Sequence, residues 1–352
     1  MISRKVRNLF LFSLTLLLFG ASAVLADTDK TLVVTSTNAT KNQLLVYNTQ
    51  GKLLQTLSTQ GQGGASGNAG GIEWKRNLVA VVNFGSKTVT TFERDDNGNG
   101  FHFNQLIPAI SNPVSVAFGD DHLYILGTTT IESHRMFGSD DVSSTPDGVV
   151  TLLKADGSSA QVGVLPGSLV ITEKSNVIET VKLLGGGAVT GTPSLAMNIP
   201  ANVNAPFGLV TRGNDAYVTI AHANELSLVR NGDVLTVVSS NGQGAPCWLT
   251  LVGPFLFSSN TASMTVSRYA VYGPKIVQDA AVVASTAGAT VDIASGDGLI
   301  AVVDNGTSAS HLSIFTVDED GNLTLRIANT INSAANGVAI VRDTDEMHHF
   351  DW

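Results

Sequence analysis

The feature that most restricts the fold of this chain is internal repetition, a unit of about 44 residues that recurs along it. Each unit opens with a short apolar strand, turns, runs through a second strand rich in Val, Leu and Ala, turns again, and adds a third and often a fourth strand. First strands start near Ile72, Val114, Gln161, Phe207, Cys247, Val291 and Gly337. Second strands are read at 32–36, 78–83, 123–126, 169–174, 217–221, 255–260 and 299–304. A repeat of this size is that of a four-stranded antiparallel propeller blade, so the seven starts predict an all-β, seven-bladed β-propeller. Composition agrees. Charged residues are only 14% of the chain, as expected where many strands are covered on both faces, and 35 glycines supply turns.

The N-terminal segment has strands at 32–36, 43–47 and 53–57 but no first strand of its own. Residues 337–341 are apolar and lie past the last complete unit, so they are expected to fill the gap and close the ring. One domain over 27–343 follows, because each blade buries itself against two neighbours.

Arg4, Lys5 and Arg7 precede an apolar run from Leu9 to Gly20, and Ala21-Ser22-Ala23 and Val24-Leu25-Ala26 follow with small residues. That order is a secretory signal peptide, with cleavage expected before Asp27. No later segment approaches a membrane span, so the mature protein is expected to be soluble and monomeric, secreted or periplasmic. The formal charge of −9 becomes more negative when the three leader cations go, which disfavours nucleic acid as a partner. A single cysteine, Cys247, excludes an intrachain disulfide and a cysteine-cluster metal site. Residues 344–352 read as a tail beyond the last strand, and His348-His349 in it as frayed chain.

Several blocks carry a family resemblance. Leu169-Val170-Ile171-Thr172-Glu173-Lys174 with Asn176 and Ile178-Glu179-Thr180, Ala205-Pro206-Phe207-Gly208-Leu209, Ala245-Pro246-Cys247-Trp248-Leu249 and the run 260–269 together resemble secreted seven-bladed propellers of the lactonase and 3-carboxymuconate cyclase-like family. The glycine-rich stretch 61–71 is similar too. The resemblance implies a lactonase-like activity on a lactone or cyclic carboxylate. The His-Pro signal and Pro-Asp-Gly turns of cytoplasmic lactonases are replaced here by turns such as Trp74-Lys75-Arg76-Asn77, so no catalytic set transfers residue by residue.

No Gly-x-Ser-x-Gly elbow, His-Glu-x-x-His pair or phosphate loop occurs, which removes the serine-hydrolase, zinc-protease and nucleotide readings. Asp95-Asp96-Asn97-Gly98-Asn99-Gly100 starts like a calcium loop, but Leu106 stands where a bidentate Glu is needed, so it reads as a hairpin turn. No metal and no cofactor is expected. Asn38, Asn305 and Asn322 open glycosylation sequons.

In an up-and-down blade, the loops after strands two and four share one face. Asn83, Lys87, Glu173, Lys174, His222, Asn260 and Asp304 sit at or just past second-strand ends and are expected to ring the channel mouth there. Of these, Glu173 or His222 is the candidate general base and Lys174 the oxyanion stabiliser, with Lys87, Asn83, Asn260 and Asp304 as ligand contacts. Glu73 and Asp292 are carboxylates at similar first-strand positions; either can face the channel and join the ligand set, while a satisfied structural hydrogen bond is the more ordinary role for such a residue. The mouth is poor in arginine, which argues against capture of multiply charged anions. Three readings stand: metal-free hydrolysis or cycloisomerisation of a small lactone, a non-catalytic module binding an extracellular protein, peptide or glycan, and a purely structural envelope protein, which predicts no concave polar cluster.

Overall fold

The structure is a computed structural model that describes residues 30–196, 205–331 and 334–342. The leader 1–26 and the tail 344–352 lie outside the described residues. Seven antiparallel sheets ring an axis. Blade 1 orders Asn336–Val341, Leu32–Ser36, Gln43–Asn48 and Leu53–Ser58 from the inside out. Blade 2 runs Ile72–Lys75, Leu78–Asn83, Thr88–Arg94 and Phe101–Pro108, and blade 3 runs Pro113–Phe118, His122–Gly127 and Thr130–Phe137. The fourth position of blade 3 is split between Asp141–Val142 and Gly148–Thr151. Blades 4 to 7 start at Ser159–Leu165, Pro206–Arg212, Pro246–Val252 and Ala289–Gly296 and are four-stranded in sequence order. Among the described residues, no helix is long and apolar enough to cross a membrane.

Burial explains the strand pattern. Second strands lie between neighbouring blades, so Leu78–Asn83 and Leu32–Ser36 are buried throughout and begin as apolar runs that end in polar residues. Outer strands face water on one side and alternate, as Leu53–Ser58 does.

The ring closes as expected. Asn336–Val341 pairs with Leu32–Ser36, with Val33 opposite Ile340 and Thr35 opposite Val338. Thr35 Oγ1 donates to Gly337 O at 2.6 Å and Ser36 Oγ to Asn336 O at 2.6 Å. From blade 2, the buried Arg94 guanidinium donates to the carbonyls of Lys30, Arg342 and Gly98, so one side chain clasps both ends of the described ring.

One local device shapes the inner wall. The inner strands of blades 3 to 7 bulge in their first residues, where the register shifts at Pro113/Ser115, Ser159/Gln161, Pro206/Leu209, Pro246/Trp248 and Thr290/Asp292. Blade 1 bulges at Gly337, whose φ of +78° and close approach to Ile72 both require glycine, since a Cβ would lie 2.8 Å from Ile72 Cγ1. The bulges free backbone carbonyls from the ladder. Hydroxyls of the preceding blade take some of them: Thr172 Oγ1 donates to Phe207 O, and Thr219 Oγ1 to Cys247 O at 3.0 Å. The start points read from the sequence fall on or beside these bulges, one or two residues after the first ladder pair.

Candidate functional site

The connection from blade 1 to blade 2 is 59–71, much longer than a blade turn, and it lies over one end of the channel. Asn68 is buried at its centre, donating through Nδ2 to Val114 O at 2.8 Å, while its Oδ1 accepts from Asn336 Nδ2 at 2.9 Å. Its own carbonyl accepts from Trp248 Nε1 at 3.1 Å. Ala69 N donates to Ala160 O at 3.1 Å, Val116 N to Gly70 O at 2.8 Å, and Lys174 Nζ to Gly67 O at 2.6 Å. At the edge, Asn38 Oδ1 accepts from the Gly64 and Ala65 amides at 2.7 and 2.9 Å, and its Nδ2 donates to Ala65 O at 2.8 Å. The bulge carbonyls of Val114 and Ala160 are thus acceptors for a cap bonded to blades 1, 3, 4 and 6. Asn68→Ala removes two buried side-chain hydrogen bonds and is expected to cost about 2 kcal/mol, read by urea denaturation.

This cap covers the face on which the sequence places the mouth residues. Asn83 is buried within blade 2, donating to Thr90 Oγ1 at 2.8 Å and accepting from Asn42 Nδ2 at 3.0 Å. Asn260 does the same job in blade 6 through Ser267 Oγ at 2.8 Å and Thr265 Oγ1 at 3.1 Å. Asp304 pairs with His311 Nδ1 at 2.8 Å. These three therefore tie second strands to third strands within a blade instead of facing the channel, because side chains at a fully covered strand end point into the sheet packing. Glu173 is also fully buried, accepts from Ser158 Oγ at 2.8 Å, and is pushed up to about 8, chiefly by desolvation. The Lys174 ammonium is lowered by burial and is spent on the cap. Lys87 and His222 are exposed beside the short turns Phe84–Ser86 and Ala221–Ala223, and neither meets Glu173.

The structure brings together a different pair. Beneath Gly70 lies a cavity of about 150 Å³ lined by the inner strands, with Glu73 from blade 2 and Asp292 from blade 7 on its wall. Trp74, Trp248, Gln161, Thr250 and Ser295 supply the rest of its polar and aromatic side chains. A second chamber of about 180 Å³ shares Glu73, Gln161, Leu209 and Val210 and extends to Phe118, Val164 and Thr211, at the opposite ends of the inner strands.

Asp292 sits at a bulge. Its Oδ1 accepts from Ile293 N at 2.9 Å and its Oδ2 from Val338 N at 3.1 Å. Burial lifts it to about 7 against these two amides. Glu73 is lifted to about 8 by burial and then by the Asp292 charge, partly offset by the Trp74 amide. Both carboxyls are raised in the same direction, and like groups so placed titrate as a pair. The Trp248 ring packs edge-on against Phe207, centroids 5.4 Å apart, which fixes it between cap and cavity. Burial raises the neighbouring Cys247 thiol to about 11, so it is not a nucleophile at neutral pH.

No family model and no curated protein matches the sequence. Solved structures do. A functionally unknown protein from Desulfotomaculum acetoxidans superposes with a TM-score of 0.67 at 12% identity, over 89% of this chain and 99% of that one. The periplasmic gluconolactonase of Pseudomonas aeruginosa gives 0.66 at 13% identity, over 88% and 98%. A candidate 6-phosphogluconolactonase from Bacteroides fragilis gives 0.63 at 14% identity, over 90% and 99%. At these identities the likeness is one of fold, and that fold is the seven-bladed β-propeller.

Proposed function

We propose that the protein is a lactonase-like propeller that opens a small cyclic ester inside its channel, with Glu73 and Asp292 as acid and base. The observation that supports this most is the pair itself: two carboxylates from different blades on the wall of one cavity, both raised toward neutrality. Asp292, the lower of the two, takes a proton from water as the water oxygen attacks the ester carbon. Glu73 gives its proton to the ring oxygen as the C–O bond breaks, and a hydroxy acid forms. The step balances with water alone. In the same reading, Glu173 and Lys174 keep the cap seated, His222 and Lys87 stand outside the site, and the leader-like residues 1–26 direct the protein out of the cytoplasm.

A pH-stat panel of aliphatic and sugar lactones, run with wild type, Glu73→Gln, Asp292→Asn and Glu173→Gln, tests this. Turnover in the wild type, lost at least 100-fold in the first two variants and changed less than 3-fold in the third, is the expected result. Loss in Glu173→Gln with activity retained in the channel variants moves the site to blade 4. No turnover on the whole panel leaves the propeller as a binding module for an extracellular protein or glycan.

A further inference from the structure

We propose that the channel selects an uncharged, hydroxylated ring and turns away its phosphorylated or carboxylated counterparts. The inference rests on the channel being the ligand site, as in the reading above, and adds the class of ligand.

Of the residues lining the two chambers, Glu73 and Asp292 alone carry ionisable side chains. The cations nearest the channel are engaged elsewhere. Lys174 is held by Gly67 O at 2.6 Å, and Lys75 by Gly119 O with Asp120 Oδ1 at 3.6 Å. Arg212 donates to Gly253 O at 2.9 Å, and Arg342 lies over the Trp74 ring at 5.8 Å with Asp297 at 4.0 Å. An anion entering the cavity therefore meets carboxylate charge and no guanidinium fork, in an enclosed space where screening is weak. A phosphate brings its two charges to a wall that offers it no counter-charge.

An uncharged ring meets the opposite situation. Gln161 Oε1 accepts from Leu209 N at 2.6 Å, which fixes the side chain and leaves the amide nitrogen beside Gly70 at the top of the cavity. Thr250 Oγ1 donates to Ser295 Oγ at 2.7 Å and Ser295 Oγ to Leu251 O at 2.9 Å, so the two hydroxyls, from blades 6 and 7, offer acceptor lone pairs to a ligand hydroxyl. Trp248 adds a flat apolar wall for the C–H face of a ring. Hydroxyl partners and an aromatic wall suit a sugar-like ring without acidic groups.

The test reads binding without chemistry. An unreactive sugar lactam, its 6-phosphate and its 6-amino derivative are titrated against the whole protein by tryptophan fluorescence, which Trp248 and Trp74 report from the cavity wall. The lactam and its amino derivative are expected to bind at least 100-fold more tightly than the phosphate. In the Glu73→Gln/Asp292→Asn double variant that gap is expected to fall below 10-fold through improved phosphate binding, with far-UV circular dichroism confirming the fold. The proposal is overturned if the phosphate binds wild type as well as the lactam does, if the gap persists in a folded double variant, or if none of the three binds. Selective lactam binding with no opening of the matching lactone removes the lactonase reading and leaves the selectivity standing.

Discussion

Ending the chain after Ala334 is expected to abolish the native monomer. The removed strand, Asn336–Val341, buries Val338, Ala339, Ile340 and Val341, which join the cores on either side of blade 1. Its three larger apolar side chains contribute about 2 kcal/mol each on burial. That sum approaches the whole stability of an ordinary domain. Leu32–Ser36 also becomes a bare apolar edge, and Asp292 and Arg94 lose backbone partners at Val338 and Arg342. Size-exclusion chromatography should show aggregation and calorimetry no cooperative melt at the wild-type temperature. A truncated protein that stays monomeric and melts as before would refute closure. Removing residues 344–352 alone should leave the melt unchanged, since every blade is complete without them.

Glu73→Gln is expected to move stability and turnover in opposite directions. In the folded protein Glu73 titrates near 8, and in the unfolded chain near its ordinary 4.5. Between those values the unfolded chain has lost a proton that the folded protein keeps, so stability falls as pH rises from about 4.5 to about 8 and is level above. Asp292, raised from 3.8 to about 7, and Glu173, raised from 4.5 to about 8, add to the same slope. The wild type should therefore melt higher at pH 5 than at pH 8. Glutamine at position 73 carries no charge to bury, so the variant should melt several degrees above wild type at pH 8, with a flatter pH dependence and at least 100-fold less turnover. In the wild type, kcat/KM requires Asp292 ionised and Glu73 protonated, which gives a bell with its maximum between about pH 7 and 8. A wild-type melting temperature that rises from pH 5 to pH 8 would show that these carboxylates are not held protonated.

The architecture was legible because blade burial writes itself into local composition. Leu78–Val82 is apolar and buried since both faces of the strand are covered, and second strands with a buried apolar centre return in the other blades. The bulges hid the first ladder residue of most inner strands, as an extra residue breaks the alternation that marks a strand. The site was less legible. Glu73 and Asp292 stood out as carboxylates on inner strands, but their sharing of a cavity depends on closing the ring between blades 7, 1 and 2, which no local pattern states. Asn83, Asn260 and Asp304 look the same in sequence whether they close a hairpin or greet a ligand, and only their buried partners decide. The cap left a usable signal in its length. A connection of 59–71 between two strands is too long for a turn and has to lie on something.

A bore stoppered at one end by backbone is a blind well, and that governs traffic. With 59–71 seated over one end, the chamber that reaches Phe118, Val164 and Thr211 offers Glu73 an approach from the other end. Entry and departure then exclude one another. If the proposed lactone opening takes place there, added product should act as a competitive inhibitor, because it occupies the space the next substrate must enter. The two faces of the disc are accordingly unequal: under the proposed function, a surface or partner that covers the open face would block the channel, while one that sits on the capped face would leave it accessible.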